Sequence, residues 1–382
     1  MSGAQNVSPQ DVLLVGFGAV GAIYAYSLHR SGKIRLTVVA RGNYELIQEH
    51  GMNINSQRYG DVKGWKPDRV VNSVSNAADR QYSHVFLCAK CVPEVIKSSK
   101  LLEPLLSSPY CDQFEQPTYV LLQNGLNIEV DLYQAIKALE KLEPRIVNTG
   151  VYVFSNLITP NVVEHGPIAQ LDLGIYREND LTTTVNSPDE QNLLEEIKDL
   201  FYKVDINIYP EIQRKKFAKN MLNIAYSSLA CLTRCSLSAV FRPPPTTIPY
   251  EIYLEPANAE RVNQYTRKWI RDILQECLFV GHAMGFPDSE DGLPSSLIEQ
   301  YLRSTEKNYS KPHINHNPST LLDVEKGVPI EVEVIWGEVV RMAKERNVDV
   351  PRIEMAYALL VLVQNQNLRQ NTNKQTADRA KY

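Results

Sequence analysis

The run Gly16-Phe17-Gly18-Ala19-Val20-Gly21 constrains this chain more than any other feature. Alone, a Gly-x-Gly-x-x-Gly run is a weak signal. Here it closes a buried apolar stretch, Asp11-Val-Leu-Leu-Val-Gly16, and opens a helical pattern rich in small residues from Ala19 to Arg30. In a strand–turn–helix unit of this kind each glycine has a distinct physical reason. Gly16 permits the tight turn, Gly18 lets the backbone approach a pyrophosphate, and Gly21 lets helix and strand pack closely. The helix start then offers unpaired N–H groups and the positive end of its dipole to phosphate. A glycine-rich turn without a ligand is the competing structural reading.

Further apolar runs follow at Leu36–Ala40, Val85–Ala89 and Tyr119–Gln123, with strand-like segments around Ile146–Phe154 and Gln170–Ile175. Runs of this length, separated by helical segments, predict a parallel sheet with helices on both faces. The fold class is therefore α/β: a Rossmann-type dinucleotide-binding domain over residues 11–208, then an all-helical domain over 209–363. Helical patterns dominate after Tyr209-Pro210, at about 211–233, 260–284, 295–305, 319–326 and 329–346. The boundary is expected near Asp205–Pro210. Pro243-Pro244-Pro245 reads as a stiff connector. Residues 1–10 are expected to be disordered, and so is the Asn/Gln/Lys-rich tail 364–382, which carries few apolar residues.

A formal net charge of −4 argues against a nucleic-acid partner, which would need a basic surface. No stretch reaches 18 uninterrupted apolar residues, and residues 1–10 carry no apolar run or arginine, so neither a membrane span nor a targeting segment is expected. The six cysteines are sparse and several lie in apolar patterns, which reads as reduced thiols in a cytoplasmic setting. Cys88-Ala-Lys-Cys91 is a single pair where a zinc site wants four ligands. His313 and His316 have no acidic or cysteine neighbour in sequence, so no metal is expected.

The cofactor is narrowed by one absence. An NAD site usually has an acidic residue about 20 residues after the glycines, bonded to the ribose hydroxyls. No acidic residue lies between Gly16 and Tyr44; the second strand runs into Ala40-Arg41-Gly42-Asn43 instead. Arg41, planar and permanently charged, suits a 2′-phosphate, which favours NADPH. Ligands in such sheets lie beyond the carboxyl ends of strands. Two more strand ends therefore count: Lys90, able to steady a phosphate or a substrate carboxylate, and Asn124-Gly125, whose amide can bond cofactor ribose or substrate. Each also reads as a plain strand-end residue.

In the helical half, Lys219, Asn223 and Ser227 are spaced i, i+4, i+8 and so share a helix face beside apolar neighbours. Carbonyl reduction needs such a lane, because negative charge grows on oxygen as hydride reaches carbon and a proton donor must stand within reach. An ordinary amphipathic helix fits the spacing equally well. A second polar cluster runs Ser319-Thr320-Leu-Leu-Asp323, then Gly327-Val-Pro329-Ile-Glu331. Ser319 or Thr320 could N-cap one helix, while Pro329 fits the first turn of the next and puts Glu331 near its positive end.

With these motifs in place, the sequence resembles the ketopantoate reductase family. The glycine run, Arg41, Lys90 and Asn124-Gly125 fall where the family's cofactor motifs fall, and His165-Gly166 resembles its late strand turn. The family's helix pattern Trp-x-Lys-x-x-x-Asn-x-x-x-Asn-Pro-Leu is matched by Phe217-Ala-Lys219, Asn223 and Ser227-Ser228-Leu229. Its Ser-x-x-x-Asp signature and later glutamate are matched by Ser319, Asp323 and Glu331.

The resemblance implies an NADPH-dependent oxidoreductase of pantothenate biosynthesis acting in a cleft between two domains. It implies Lys219 as general acid, and Glu331 as bonded to the substrate hydroxyl or orienting the lysine. Asn223, Ser227, Ser319 and Asn124 are the implied contacts to a small 2-oxo acid. Ser227, Ser228 and Phe217 replace the family's asparagine, proline and tryptophan, and the segment 236–318 is longer than in the compact bacterial form. These departures keep two alternatives open: a reductase of another carbonyl substrate, and a non-catalytic NADPH-binding sensor. A homodimer is allowed but not specified.

Overall fold

The structure, a computed structural model, describes residues 9–314 and 317–379. Ten strands form one sheet: β1 (Gln10–Val15), β2 (Ile34–Val39), β3 (Met52–Ser56), β4 (Gly60–Trp65), β5 (Arg69–Val71), β6 (His84–Leu87), β7 (Thr118–Leu121), β8 (Ile146–Thr159), β9 (Val162–Ile175) and β10 (Asp205–Ile208). Their order is β4-β3-β9-β8-β7-β6-β1-β2-β5, with β10 on β9. The run β8-β7-β6-β1-β2-β5 is parallel throughout. The pairs β8–β9 and β3–β4 are antiparallel. Val12–Val15 and Tyr119–Leu121 are buried at every position, because both faces of a central parallel strand are covered. The helix Ala19–Arg30 packs on β2, β8 and β9 and buries Ala22, Ile23, Ala25 and Leu28.

The chain divides into two compact units. The first comprises residues up to Lys215 apart from Gly125–Asn127; the second comprises Lys216 onward together with those three residues. The division falls inside the helix Ile212–Leu222, later than the expected Asp205–Pro210. The cause is that β10 pairs with β9, the Tyr209 amide donates to the Leu173 carbonyl, and Arg177 donates to the Pro210 carbonyl.

The second unit is built from helices, among them Ile212–Leu222, Ser228–Thr233, Lys268–Ala283, Leu297–Tyr309, Ser319–Lys326, Glu338–Glu345 and Pro351–Arg379. Trp336, Phe217, Leu274 and Cys277 fill its interior. The buried Glu276 carboxylate accepts from the Arg352 and Ile353 amides and from the Arg352 guanidinium, closing the start of the last helix.

Two expectations change here. The segment from Gln364, read as a disordered tail, is helical to Arg379; residues 380–382 lie outside the described residues. Not all of its amides are solvated. Gln364 and Asn367 are buried and bond backbone groups of Val328 and Ile330. Pro329 does not open a helix either: the chain stays non-helical to Glu331, its backbone at Val328 and Ile330 bonded by those same amides, and turns helical at Val332. At the other end, residues 1–8 lie outside the described residues, and Gln10 already belongs to β1.

Candidate cofactor and catalytic residues

In the first unit, parallel pairing aligns four loops on one sheet edge. Val15 registers with Val39 and Leu87, and Leu87 with Leu121. The residues just past those strand ends therefore follow one another along the edge: Asn124, Lys90, the glycine run, then Arg41.

The glycines divide by role. Gly16 adopts φ +104°, and a Cβ there would lie 2.4 Å from the Ala89 nitrogen. A Cβ on Gly21 would lie 1.9 Å from the Gly16 carbonyl oxygen, so that position serves packing. A Cβ on Gly18 would meet no protein atom within 4 Å. The protein itself therefore does not require glycine at 18; the space beside it is open. The following helix has no side-chain N-cap and no acidic residue in its first turn, so its leading N–H groups, Ala19 and Val20 among them, could take an anion as partner. Phe17 contributes backbone only, since its ring is buried against Trp65 at 6.1 Å.

Arg41 is exposed and makes no side-chain hydrogen bond or ion pair among the described residues. Lys90 is exposed and Asn124 half-buried. These residues fit a dinucleotide bearing a further phosphate: an uncapped helix start, an open backbone edge, and a permanent cation two residues past β2. Sequence reasoning missed Asn43, whose amide donates to the Phe17 carbonyl at 3.0 Å and the Pro160 carbonyl at 2.9 Å, tying the glycine turn to the β8–β9 hairpin. Its only sequence signal, an asparagine before a helix, points to capping, and no capping bond forms.

His165, singled out by resemblance, is a structural pin. Its Nε2 donates to the Ile168 carbonyl at 3.0 Å, its Nδ1 accepts from the Ser56 hydroxyl at 2.8 Å, and burial holds its pKa below the usual histidine range. Packing around the Cys88 sulfur pushes that thiol far up, so it is an inert thiol beside the glycine turn. Among the described residues no group of three or more potential ligands could hold a metal; His313 is exposed, and His316 lies outside the described residues.

In the second unit, Lys219 is half-buried on the helix Ile212–Leu222. The helix is not uniform: Asn223–Ser227 form a π turn before Ser228–Thr233 resume the α form. On a regular α-helix each i, i+4 step overshoots a full turn by about 40°. The wider turn rotates less per residue, which offsets that drift between Lys219 and Ser227. Asn223 is half-buried and Ser227 buried, with 5% exposure.

Ser228, at the place of the family's proline, is fully buried; its hydroxyl donates to the Ile224 carbonyl at 2.5 Å and accepts from Trp336 Nε1 at 2.7 Å. A proline would leave that carbonyl without its helical donor; Ser228 keeps it, its backbone N–H donating to the Ile224 carbonyl as well, and the added hydroxyl bond favours the local distortion. Phe217 packs at 6.0 Å from Phe286 and in contact range of Gly281, a core role.

Glu331 is 7% exposed and stands two residues before a second π turn, Glu333–Gly337. The carbonyls of that turn are recruited from outside it. Val334 accepts from the Leu126 amide at 2.8 Å, and Ile335 accepts from the Asn220 side chain at 2.9 Å. Asn220, next to Lys219 and missed by sequence reasoning, therefore links the lysine helix to the segment following Glu331. Gly125 must be glycine: it adopts φ +97°, and a Cβ would lie 2.5 Å from the Val334 side chain. Ser319 begins its helix but does not cap it. Its exposed hydroxyl makes no hydrogen bond among the described residues, so the capping role expected of it is absent.

The family model "Ketopantoate reductase PanE/ApbA" matches residues 12–178, and "Ketopantoate reductase PanE/ApbA C terminal" matches 211–364. An uncharacterised protein of Saccharomyces cerevisiae is 24% identical over 364 residues, spanning 92% of this chain and 93% of that one. The crystal structure of 2-dehydropantoate 2-reductase from Methylococcus capsulatus is similar at TM-score 0.70 and 24% identity, covering 94% of this chain and 97% of that one. A ternary structure of D-mandelate dehydrogenase with NADH and anilino(oxo)acetate is similar at TM-score 0.68 and 16% identity, covering 94% and 99%. The structural likenesses speak to the fold.

Proposed function

The chain belongs to the ketopantoate reductase PanE/ApbA family, and from that premise we propose that it uses NADPH to reduce 2-dehydropantoate to pantoate. Membership makes it a nicotinamide-dependent oxidoreductase. The observation that carries the finer reading is that Lys219, Asn223, Ser319 and Glu331, the residues to which the resemblance implies catalytic and substrate roles, all lie within the matched segment 211–364.

The glycine turn and the uncapped helix start take the pyrophosphate, and Arg41 takes the 2′-phosphate. When bound, NADPH supplies the hydride that the carbonyl carbon receives. Lys219 holds the negative charge growing on the carbonyl oxygen and delivers a proton to it from Nζ. Glu331 accepts from the substrate hydroxyl or orients the lysine. Asn223, Ser227, Ser319 and Asn124 carry the remaining substrate contacts, and Lys90 steadies phosphate or carboxylate.

A second reading, a different 2-oxo acid as substrate, is favoured by Ser227. It replaces the family's asparagine with a shorter group and is buried, so a polar contact available in other members is changed. A non-catalytic NADPH sensor would need only the first unit's motifs, and retention of the second set counts against it.

Loss of NADPH absorbance, followed with 2-dehydropantoate and with a panel of other 2-oxo acids, separates all three. Turnover of 2-dehydropantoate at the highest kcat/KM supports the first reading, turnover only of others the second, and binding without turnover the third. Lys219→Ala is expected to lower kcat about 10²- to 10⁴-fold with NADPH affinity retained. Unchanged turnover would remove the lysine from the mechanism.

A further inference from the structure

The last helix of the second unit reads the backbone that leads into Glu331. Gln364 clasps Ile330 from both sides: its Oε1 accepts from the Ile330 amide at 2.9 Å, and its Nε2 donates to the Ile330 carbonyl at 2.9 Å. Asn367 donates to the Val328 carbonyl at 2.9 Å, and Asn371 donates to the Gly327 carbonyl at 2.8 Å. These amides stand at i, i+3 and i+7 on one helix, the spacing that lines one face. Pro329, in the middle of this non-helical segment, has no N–H to give. The side-chain amides thus do for residues 327–330 what a neighbouring strand does in a sheet. Farther up the same face, the Tyr357 hydroxyl donates to Glu333 Oε1 at 2.7 Å. One helix therefore bonds the backbone just before Glu331 and the side chain two residues after it.

We propose that Gln364 is a positioning residue for the reduction, with Asn367 and Asn371 in support: the amide ladder fixes the non-helical segment that sets the direction of the Glu331 carboxylate. The proposal rests on the reading above that Glu331 contacts substrate or lysine. The physical reason is that Gln364 and Ile330 are both deeply buried, 3% and 0% exposed, so their two bonds are shielded from water and hold the segment in one conformation. An aliphatic residue at 364 would fill the space but leave the Ile330 amide and carbonyl without partners.

The experiment is a double-mutant cycle on the full chain, with NADPH and 2-dehydropantoate, or the 2-oxo acid that the panel selects. Glu331→Gln tests the underlying reading. Gln364→Met tests the ladder and is expected to lower kcat/KM about tenfold while the dissociation constant for NADPH changes less than about twofold. In the Glu331→Gln background the same substitution is expected to cost less than about twofold, since a residue acting through Glu331 has nothing left to act on. Asn371→Ala removes one half-buried amide and is expected to give a smaller loss of about threefold with the same coupling, which covers a Gln364→Met chain that does not fold. A loss from Gln364→Met or Asn371→Ala that is equal in both backgrounds, or no loss in a folded variant, overturns the inference while leaving Glu331 in place. Full turnover by Glu331→Gln overturns the reading of Glu331 and this inference with it.

Discussion

Replacing Gly18 with alanine should separate folding from cofactor binding. The backbone at Gly18, φ −86° and ψ −161°, is extended and open to alanine, and the new Cβ would meet no protein atom within 4 Å. Losing a glycine from the unfolded chain favours the fold by roughly 0.4–1 kcal/mol. Alanine is a poorer N-cap than glycine by a comparable amount, so the two terms nearly cancel. The melting temperature should move by less than about 3 °C.

Binding should respond very differently. The methyl would stand where a pyrophosphate approaches the helix start, and losing one or two charge-assisted bonds of roughly 1.5–3 kcal/mol weakens NADPH about 10- to 100-fold or more. Gly21→Ala is the control. Its Cβ would lie 1.9 Å from the Gly16 carbonyl oxygen, a clash with backbone, and overpacking of that kind costs roughly 1–3 kcal/mol. Thermal unfolding and a fluorescence titration with NADPH read both quantities. If Gly18→Ala binds NADPH as tightly as the natural chain, the open edge at residue 18 does not face a pyrophosphate.

Arg41→Gln should weaken NADPH by about 10- to 100-fold and leave NADH within about twofold, read by the same titration; an equal loss for both would detach Arg41 from the 2′-phosphate. His84 is buried and its pKa is held down from 6.5 to about 4 by desolvation. Above pH 6.5 both states are neutral there; as pH falls from 6.5 toward 4 the unfolded chain takes the proton first, so stability is lost in that window. The gap allows roughly 3 kcal/mol at about 1.4 kcal/mol per pH unit. His84→Gln should flatten that part of a urea-denaturation profile against pH, and an unchanged slope would mean another group is responsible. Ser228→Ala removes the Trp336 N–H acceptor and should cost about 1–3 kcal/mol by the same measurement. Its cost should largely vanish in a Trp336→Phe background; a fully additive pair would show that the hydroxyl matters only locally.

The central strands were legible because burial on both faces writes itself as unbroken apolar runs; Val12–Val15 and Tyr119–Leu121 needed no partner information. β4 was not, because Gly60-Asp-Val-Lys-Gly-Trp65 forms an edge strand with half its bonds to water and no periodic signature. β10 is short and half-exposed, and only its pairing with β9 defines it. The glycine roles at 16 and 21 followed from the motif, whereas the support from Asn43 depends on a carbonyl far away in sequence, at Pro160. Lys219 and Asn223 were singled out by spacing. The π turns beside them were invisible, since spacing arguments assume a constant rotation per residue. The C-terminal amides misled for a related reason: hydropathy scores Gln364, Asn367 and Asn371 as solvent-seeking and cannot register that backbone groups at 327, 328 and 330 are waiting for them.

The allocation of Gly125–Asn127 to the second unit has a practical corollary. The polypeptide passes from one unit to the other three times, after Asn124, after Asn127 and after Lys215. A fragment beginning at residue 211 would thus carry the whole C-terminal family match yet omit the tripeptide whose Leu126 amide satisfies the Val334 carbonyl. Severing the chain at its apparent midpoint would not release a self-sufficient half, and insertion or deletion near residue 126 should disturb the helical half more than its place in the sequence suggests.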